Sequence, residues 1–328
     1  MVEAKPVRDI GSPHVVNDDL SRIHEFGALA AECARFAYQE SDSYEKLALD
    51  GSPHIAEKHQ ADSTIAANGD HWPPEVFGTL TTSIWTYVSA AAEQLDGLAV
   101  LYEAGACLHP PFPVARAAYE LSARAFWLLD PATSLSERVA RMQLDAMASL
   151  EFQIQGTPKN QSDDMNESRA EAKRSLKLLR ETLIPELLGT IEVDDDKPLA
   201  SPHIAIAGER YLGPTETARY FQHQYSGPSE SSWTTYDLLC LGTHPNAIFA
   251  LSNAQAHVSD GGNSGLRFVV SAGSLSNILA IALQPYISAI GALWSWYGWD
   301  QGPLVSLCSR INEQLGPVVP EDWGGGAA

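Results

Sequence analysis

Three charged residues stand at spacings that chemistry could use: Arg116, Glu120 and Arg124, each four positions from the next. Four residues of helix turn about 400°, so the three stack along one flank and drift about 40° per step. The drift leaves Arg124 nearest the apolar stripe formed by Val114, Ala117, Ala118, Leu121, Ala125 and Leu128. A carboxylate between two guanidinium groups stays ionised. It can act as a base, hold an ion-pair ladder between helices, or form the polar floor of a cavity in which Arg116 and Arg124 grip Glu120 or an anionic ligand group.

His244 is the second candidate. It follows a helix that stops at Gly242, with Pro245 and Asn246 just beyond. There an imidazole can donate or accept a proton, or hydrogen-bond the loop that carries it. Tyr236, two turns earlier, falls close to the same side of that helix, and Asn246 can orient a neighbour or serve the turn. The third candidate group is aromatic. Trp294, Trp296 and Tyr297, with Trp127 and Tyr119, have the size and polar handles to wall an apolar site.

Two further patterns bear on metals. His54, His59 and His71 lie beside Glu57, Asp62 and Asp70, but His54 and His59 are five apart and diverge by about 140° on a helix, which suits surface histidines better than ligands. Asp163-Asp164-Met165-Asn166-Glu167 resembles the D-D-x-x-E motif with which class I terpene cyclases hold magnesium against a diphosphate. No second Asn/Ser/Glu metal motif follows it. Both groups stay open as metal sites, and no cofactor is implied. There is no G-x-S-x-G, C-x-x-C, H-E-x-x-H, P-loop or G-x-G-x-x-G, which removes the commonest hydrolase, zincin and nucleotide-binding chemistries.

The elements that must position these groups read as helices. Pro113 suits a first helical position and Asp130-Pro131 a stop, so the triad rides a helix of roughly five turns that is apolar nearly all round and therefore buried. Before it, Asp18 or Asp19 caps a helix to Gln39 with Ile23, Phe26, Leu29, Ala30, Cys33 and Ala37 at core spacing, and a long helix follows Pro73-Pro74 from Glu75 to Ala104. Residues 41–72 lose periodicity and read as a loop with one helical turn.

After it come helices from Ser134 or Ser136, carrying Arg138, Arg141 and Asp145, and from Glu167 to Leu188. A short extended piece around HIAIAG precedes Pro214–Tyr225 and Ser229–Leu241. Residues 253–265 read as a loop. Phe268–Trp299 holds no charge, but its scattered serines, Asn277, Gln284 and Pro285 favour a central buried helix over a membrane span. Pro303–Leu315 closes the set. The sum is an all-α, single-domain bundle of about eight helices with long loops, spanning 18–316, with a disordered arm at 1–17 and a flexible tail at 317–328.

The chain has 328 residues and a formal net charge of −20, from 41 acidic and 21 basic residues. That field repels phosphate backbones and anionic lipid, so nucleic acid and membrane are poor partners. Cys33, Cys107, Cys240 and Cys308 are far apart and read as reduced thiols, and the N-terminus lacks a secretory apolar run, so the location expected is cytoplasmic.

The pairing of RAAYELSARAFWLLDP with SSWTTYDLLCLGTHPN about 100 residues later resembles a set of uncharacterised bacterial helical proteins that is distantly HEPN-like. The resemblance covers Pro113 to Asn246 and the late Trp-rich helix, and it implies fold more than activity. HEPN ribonucleases place R-x(4 to 6)-H at a helix end. Here Leu238, Leu239 and Cys240 precede His244, Arg219 and His223 are one residue too close, and only Arg8 and His14 fit the spacing.

The function expected is a cofactor-independent enzyme, or a binding protein, for a largely apolar small molecule between buried helices. Its acid and base are Glu120 and His244, Arg116, Arg124 and Tyr236 support them, and Trp127, Tyr119, Asn246, Trp294, Trp296 and Tyr297 bind the ligand. An HEPN-like ribonuclease or toxin-type component, a terpene-cyclase-like enzyme and a structural or regulatory module are the alternatives. The partner is a small-molecule ligand, and a homodimer is compatible with the chain.

Overall fold

The computed structural model describes residues 17–41, 48–68, 75–105, 110–156, 162–184, 188, 192–193, 203–226, 235–244, 254–258, 264–268 and 271–318. Its frame is a ring of four long helices: α1 (Asn17–Ser41), α3 (Val76–Glu103), α4 (Pro111–Leu129) and α9 (Ala272–Tyr297). α1 packs on α3, α3 on α4, α4 on α9, and α9 returns to α1. Around the ring lie α2 (Pro53–Asn68), α5 (Leu135–Gly156), α6 (Asp163–Leu178), α7 (Pro214–Ser226), α8 (Thr235–Thr243) and α10 (Gly302–Leu315). The protein is all-α in class, and the ten α-helices among the described residues exceed the eight or so that periodicity predicts.

The ring closes because each long helix has an apolar face wide enough to bury. On α1 the expected stripe of Ile23, Phe26, Leu29, Ala30, Cys33 and Ala37 is buried. Every residue of α4 except Pro113 is buried or half-buried, as an all-round apolar helix requires. α4 starts two residues before Pro113, with Pro111 at its first position, and ends at Asp130 in extended conformation before Pro131. α9 is capped by Ser271, whose Oγ accepts from the Ser274 amide at 3.1 Å, and ends in left-handed Gly298. Among the described residues it is the one helix long and apolar enough to cross a membrane, and most of it is buried in the bundle. Two buried tyrosines staple the ring: Tyr102 Oη donates to the Leu275 carbonyl at 2.9 Å and Tyr286 Oη to the Cys33 carbonyl at 3.1 Å.

Several sequence expectations need correction. Residues 53–68, expected as loop, form α2. Among its described side chains the apolar residues turned to the core are chiefly Ala61 and half-buried Ile55, and its start is set by Pro53 behind Ser52, whose Oγ accepts from the Ile55 amide at 3.4 Å. The segment 253–265 contributes instead to a two-stranded hairpin, β4 (Ala254–Val258) against β5 (Ser264–Phe268). α8 spans Thr235–Thr243, running past Gly242, and the start expected at Ser229 lies outside the described residues. Gly242 is not a left-handed cap there: a Cβ on it would lie 2.0 Å from the Phe112 ring, so its glycine is needed for close packing. The Asp163-Asp164-x-x-Glu167 run opens α6, which starts four residues before the Glu167 expected.

A second, smaller core sits beside the ring, built from Ala140, Leu144 and Met147 of α5, Leu176 of α6, Ile184, Ile204 and Ile206. Its sheet is antiparallel, β1 (Glu192–Val193), β2 (Ile204–Ile206) and β3 (Glu209–Arg210), and β2 is the extended piece expected around HIAIAG. The β2–β3 turn places Ala207 and Gly208 at φ +50° and +81°, the left-handed pair that a tight hairpin twisted this way requires. That turn matters because β3 and the two residues after it are aimed at α4 and α5.

Candidate functional site

Two polar regions emerge. The first is buried, where α4, α5 and the β3 segment meet. On α5, Arg138, Arg141 and Asp145 fall at i, i+3 and i+7, one face of the helix. That face is turned inward, toward Arg124 of α4: Arg124, Arg138 and Arg141 are 6%, 4% and 5% exposed. Arg141 grips Glu209 with two hydrogen bonds, Nε to Oε2 at 2.8 Å and Nη2 to Oε1 at 3.2 Å, and donates to the Trp127 carbonyl at 2.6 Å. Its Nη1 lies 4.0 Å from Asp130, whose Oδ2 accepts from Tyr220.

Arg138 pairs with Glu57 of α2 at 2.9 Å and donates to the Asp130 carbonyl at 3.0 Å. Glu57 also accepts from Trp296 Nε1 at 3.1 Å. Burial pushes the Glu57 carboxyl upward, against the pull of Arg138. Arg124 donates to the Leu212 carbonyl at 2.7 Å and lies 3.4 Å from Asp145, which accepts from Tyr87 Oη. Burial and the Asp145 carboxylate push the Tyr87 hydroxyl well above its ordinary range, so it stays a donor. Arg124 and Arg141 both lie over the Trp127 ring, at 5.3 and 5.4 Å from its centre. Three cations against four carboxylates, each hydrogen-bonded, satisfy the condition under which buried charge is tolerated.

The ladder expected along α4 has only one rung. Arg116 Nε meets Glu120 at 2.7 Å, and Tyr236 Oη donates to the same carboxylate oxygen at 2.5 Å. Arg124 is the most buried of the three, as the drift implies, and it turns away to Asp145 and Leu212. Side chains of Arg116 and Glu120 remain about one quarter exposed. Burial and the bond to Glu120 push the Tyr236 hydroxyl well above its ordinary range, so its proton is held there as a donor. Tyr119 is buried against Phe221 and Tyr236.

His244 is exposed at the end of α8, with its amide on the Cys240 carbonyl at 3.3 Å. Eight residues separate it from Tyr236, about 12 Å of helix, so it is out of hydrogen-bonding reach of the Glu120 pair. Asn246 lies outside the described residues, as do His71, Arg8 and His14. Arg219 and His223 are exposed on α7. Trp294, Trp296 and Tyr297 are buried at the far end of α9 with Phe36, His54, Phe77, Trp85 and Trp299. They reach α4 through Glu57 and Arg138 at Asp130, ten residues or about 15 Å of helix from Glu120. The residues expected to form one site therefore divide into a Glu120 group, a Trp127 group and an α9 aromatic group.

The second polar region is open. A cleft of about 900 Å³ lies between α2 and α3, lined by His54, Lys58 and Asp62 from one side and by Glu75, Phe77, Thr79, Thr82, Thr86 and Tyr87 from the other. A cleft of about 520 Å³ adjoins it across the same Thr81, Thr82 and Thr86. His54 forms its aromatic corner, stacked on Tyr297 at 4.5 Å and edge-on to Trp296 and Phe77. Burial, aided by Lys58, lowers this imidazole to about 4, so it is neutral at pH 7, and its Nδ1 is buried without a hydrogen-bond partner. Tyr87 belongs to both regions, since it lines the cleft and donates to Asp145.

The cleft escaped the sequence patterns because hydroxyl groups on a helix carry no catalytic signature. The one available signal was the density of Thr and Ser in TLTTSIWTYVS, residues 79–89, residue types that disfavour a helix interior unless their side chains are put to use.

Among the described residues no three His, Cys, Asp or Glu side chains converge as a metal site needs. His59, Asp164 and Glu167 are exposed. Cys33, Cys240 and Cys308 are free thiols, and burial raises the first and last. Comparison with protein-family models, curated proteins and solved structures finds no match to this chain.

Proposed function

We propose that the protein binds a small molecule in the cleft between α2 and α3, and that the buried ion network is the frame holding that cleft open. A single observation carries this reading. The cleft has the volume of a ligand site and joins an aromatic corner to a row of hydroxyls. The charged residues that looked catalytic in sequence are engaged by their neighbours: Glu120 by Arg116 and Tyr236, Arg124 by Asp145 and the Leu212 carbonyl. This favours a binding function over acid/base turnover at Glu120 and His244.

A thermal-shift screen of cationic, neutral and anionic small molecules tests the reading. At least one compound should raise the melting temperature, and Thr82→Trp, which places a large side chain in the cleft, should abolish the shift. Failure of all three classes, or an equal shift in Thr82→Trp, would overturn it.

A further inference from the structure

From the hydrogen-bonding state of the cleft's lining we infer that its ligand is an organic ammonium ion, an aliphatic diamine being the simplest form. This rests on the cleft being a ligand site, and it adds the ligand's chemical class. Each hydroxyl has one proton to give. Thr79, Thr81, Ser83 and Thr86 have each spent theirs on the carbonyl four residues back, at 2.9, 3.0, 2.9 and 2.8 Å. Tyr87 has spent its own on Asp145. What these five groups offer a visitor is therefore lone pairs. Asp62 and Glu75 add carboxylates, which can only accept when ionised.

The donors available on the lining are few: the exposed Lys58 ammonium, the Thr82 hydroxyl and the one N–H of neutral His54. A ligand rich in acceptors would find its lone pairs facing lone pairs, and an anion would also meet two carboxylates in a chain of net charge −20. A ligand rich in donors completes the site. The rings of Phe77 and Tyr87 on the same wall suit a cation resting on methylenes, since an aromatic face attracts positive charge. Lys58 opposes such a ligand, and its removal is therefore informative.

The test uses three probes of one chain length and different charge: 1,4-diaminobutane, 1,4-butanediol and succinate. Each is titrated calorimetrically into the full-length protein, into Asp62→Asn/Glu75→Gln, into Lys58→Ala and into Thr82→Trp. All substituted positions are exposed, and unchanged circular dichroism verifies the fold. The expected result is saturable binding of the diamine and no binding of the other two. Affinity should fall at least ten-fold in the double variant, rise several-fold in Lys58→Ala and vanish in Thr82→Trp. Binding of the diol or succinate but not of the diamine, lost in Thr82→Trp, overturns the ligand class and leaves the cleft as a binding site. Diamine binding that survives Thr82→Trp, or that ignores the double variant, overturns the inference as surface adsorption. Binding of none of the three, with no compound found in the wider screen, overturns the cleft and the inference together.

Discussion

The two polar regions of this molecule treat their charges in opposite ways. Beneath α4 and α5, Arg124, Arg138 and Arg141 are almost wholly buried and every head group is matched by a carboxylate, a carbonyl or an aromatic face. In the cleft the charges are exposed, four hydroxyls have turned their protons back into their own helix, and one buried imidazole nitrogen has no partner. A saturated network holds structure because any change leaves a charge stranded. An unsaturated lining is where a ligand can still gain by binding. Expensive residues thus mark the frame, and inexpensive ones mark the place to look for function.

The contrast can be broken first at Arg141. Arg141→Ala leaves Glu209 and Asp130 without their cation and should cost about 3–5 kcal/mol, the range for stranding a buried charge. Urea unfolding measures it, and a loss under about 1 kcal/mol would make the network no more than a surface pair. Tyr87, shared by both regions, comes next. Tyr87→Phe removes the donor to Asp145 and should cost about 1–3 kcal/mol, as for a hydrogen bond to a buried charged group. Stability unchanged by this substitution would uncouple the cleft from the network.

The pH dependence separates the regions further. His54 has its imidazole lowered to about 4 in the fold from 6.5, so the unfolded chain takes up the proton more readily. Stability from His54 is then complete above about pH 6.5 and is lost as pH falls from there toward about 4. His54→Phe should flatten that part of the stability–pH curve measured by chemical denaturation. A slope unaltered by the substitution would place the titrating group elsewhere. The smallest effect belongs to Glu120→Gln. A quarter-exposed i,i+4 pair is worth about 0.3–0.5 kcal/mol, so with the Tyr236 bond weakened but kept, the melting temperature should drop by only a degree or two. A loss above about 2 kcal/mol would return Glu120 to the centre of the molecule's energetics.

The frame was largely legible in sequence. Pro113, two residues inside the true start, Asp130-Pro131 and the charge-free run from Phe268 announced α4 and α9, because prolines and apolar periodicity act locally. The buried position of Arg124 followed from the 40° drift. Its partner did not, since Asp145 and Leu212 arrive from α5 and from the segment after β3, and no local spacing encodes that meeting. α2 was missed because Ile55 and Ala61 give too thin a stripe to show period, and what anchors it is Leu49 on the Tyr297 carbonyl and Glu57 on Arg138. The cleft was missed for a related reason. Thr79, Thr82 and Thr86 look like interruptions of an apolar helix until α2 is laid across them.

The most direct measurement is calorimetric affinity for a cleft ligand in Thr82→Trp and Glu120→Gln side by side. The two regions predict binding abolished in the first and kept within about two-fold in the second, a difference of about 0.4 kcal/mol at most. Binding retained by Thr82→Trp and lost in Glu120→Gln would contradict the account and place the site on α4.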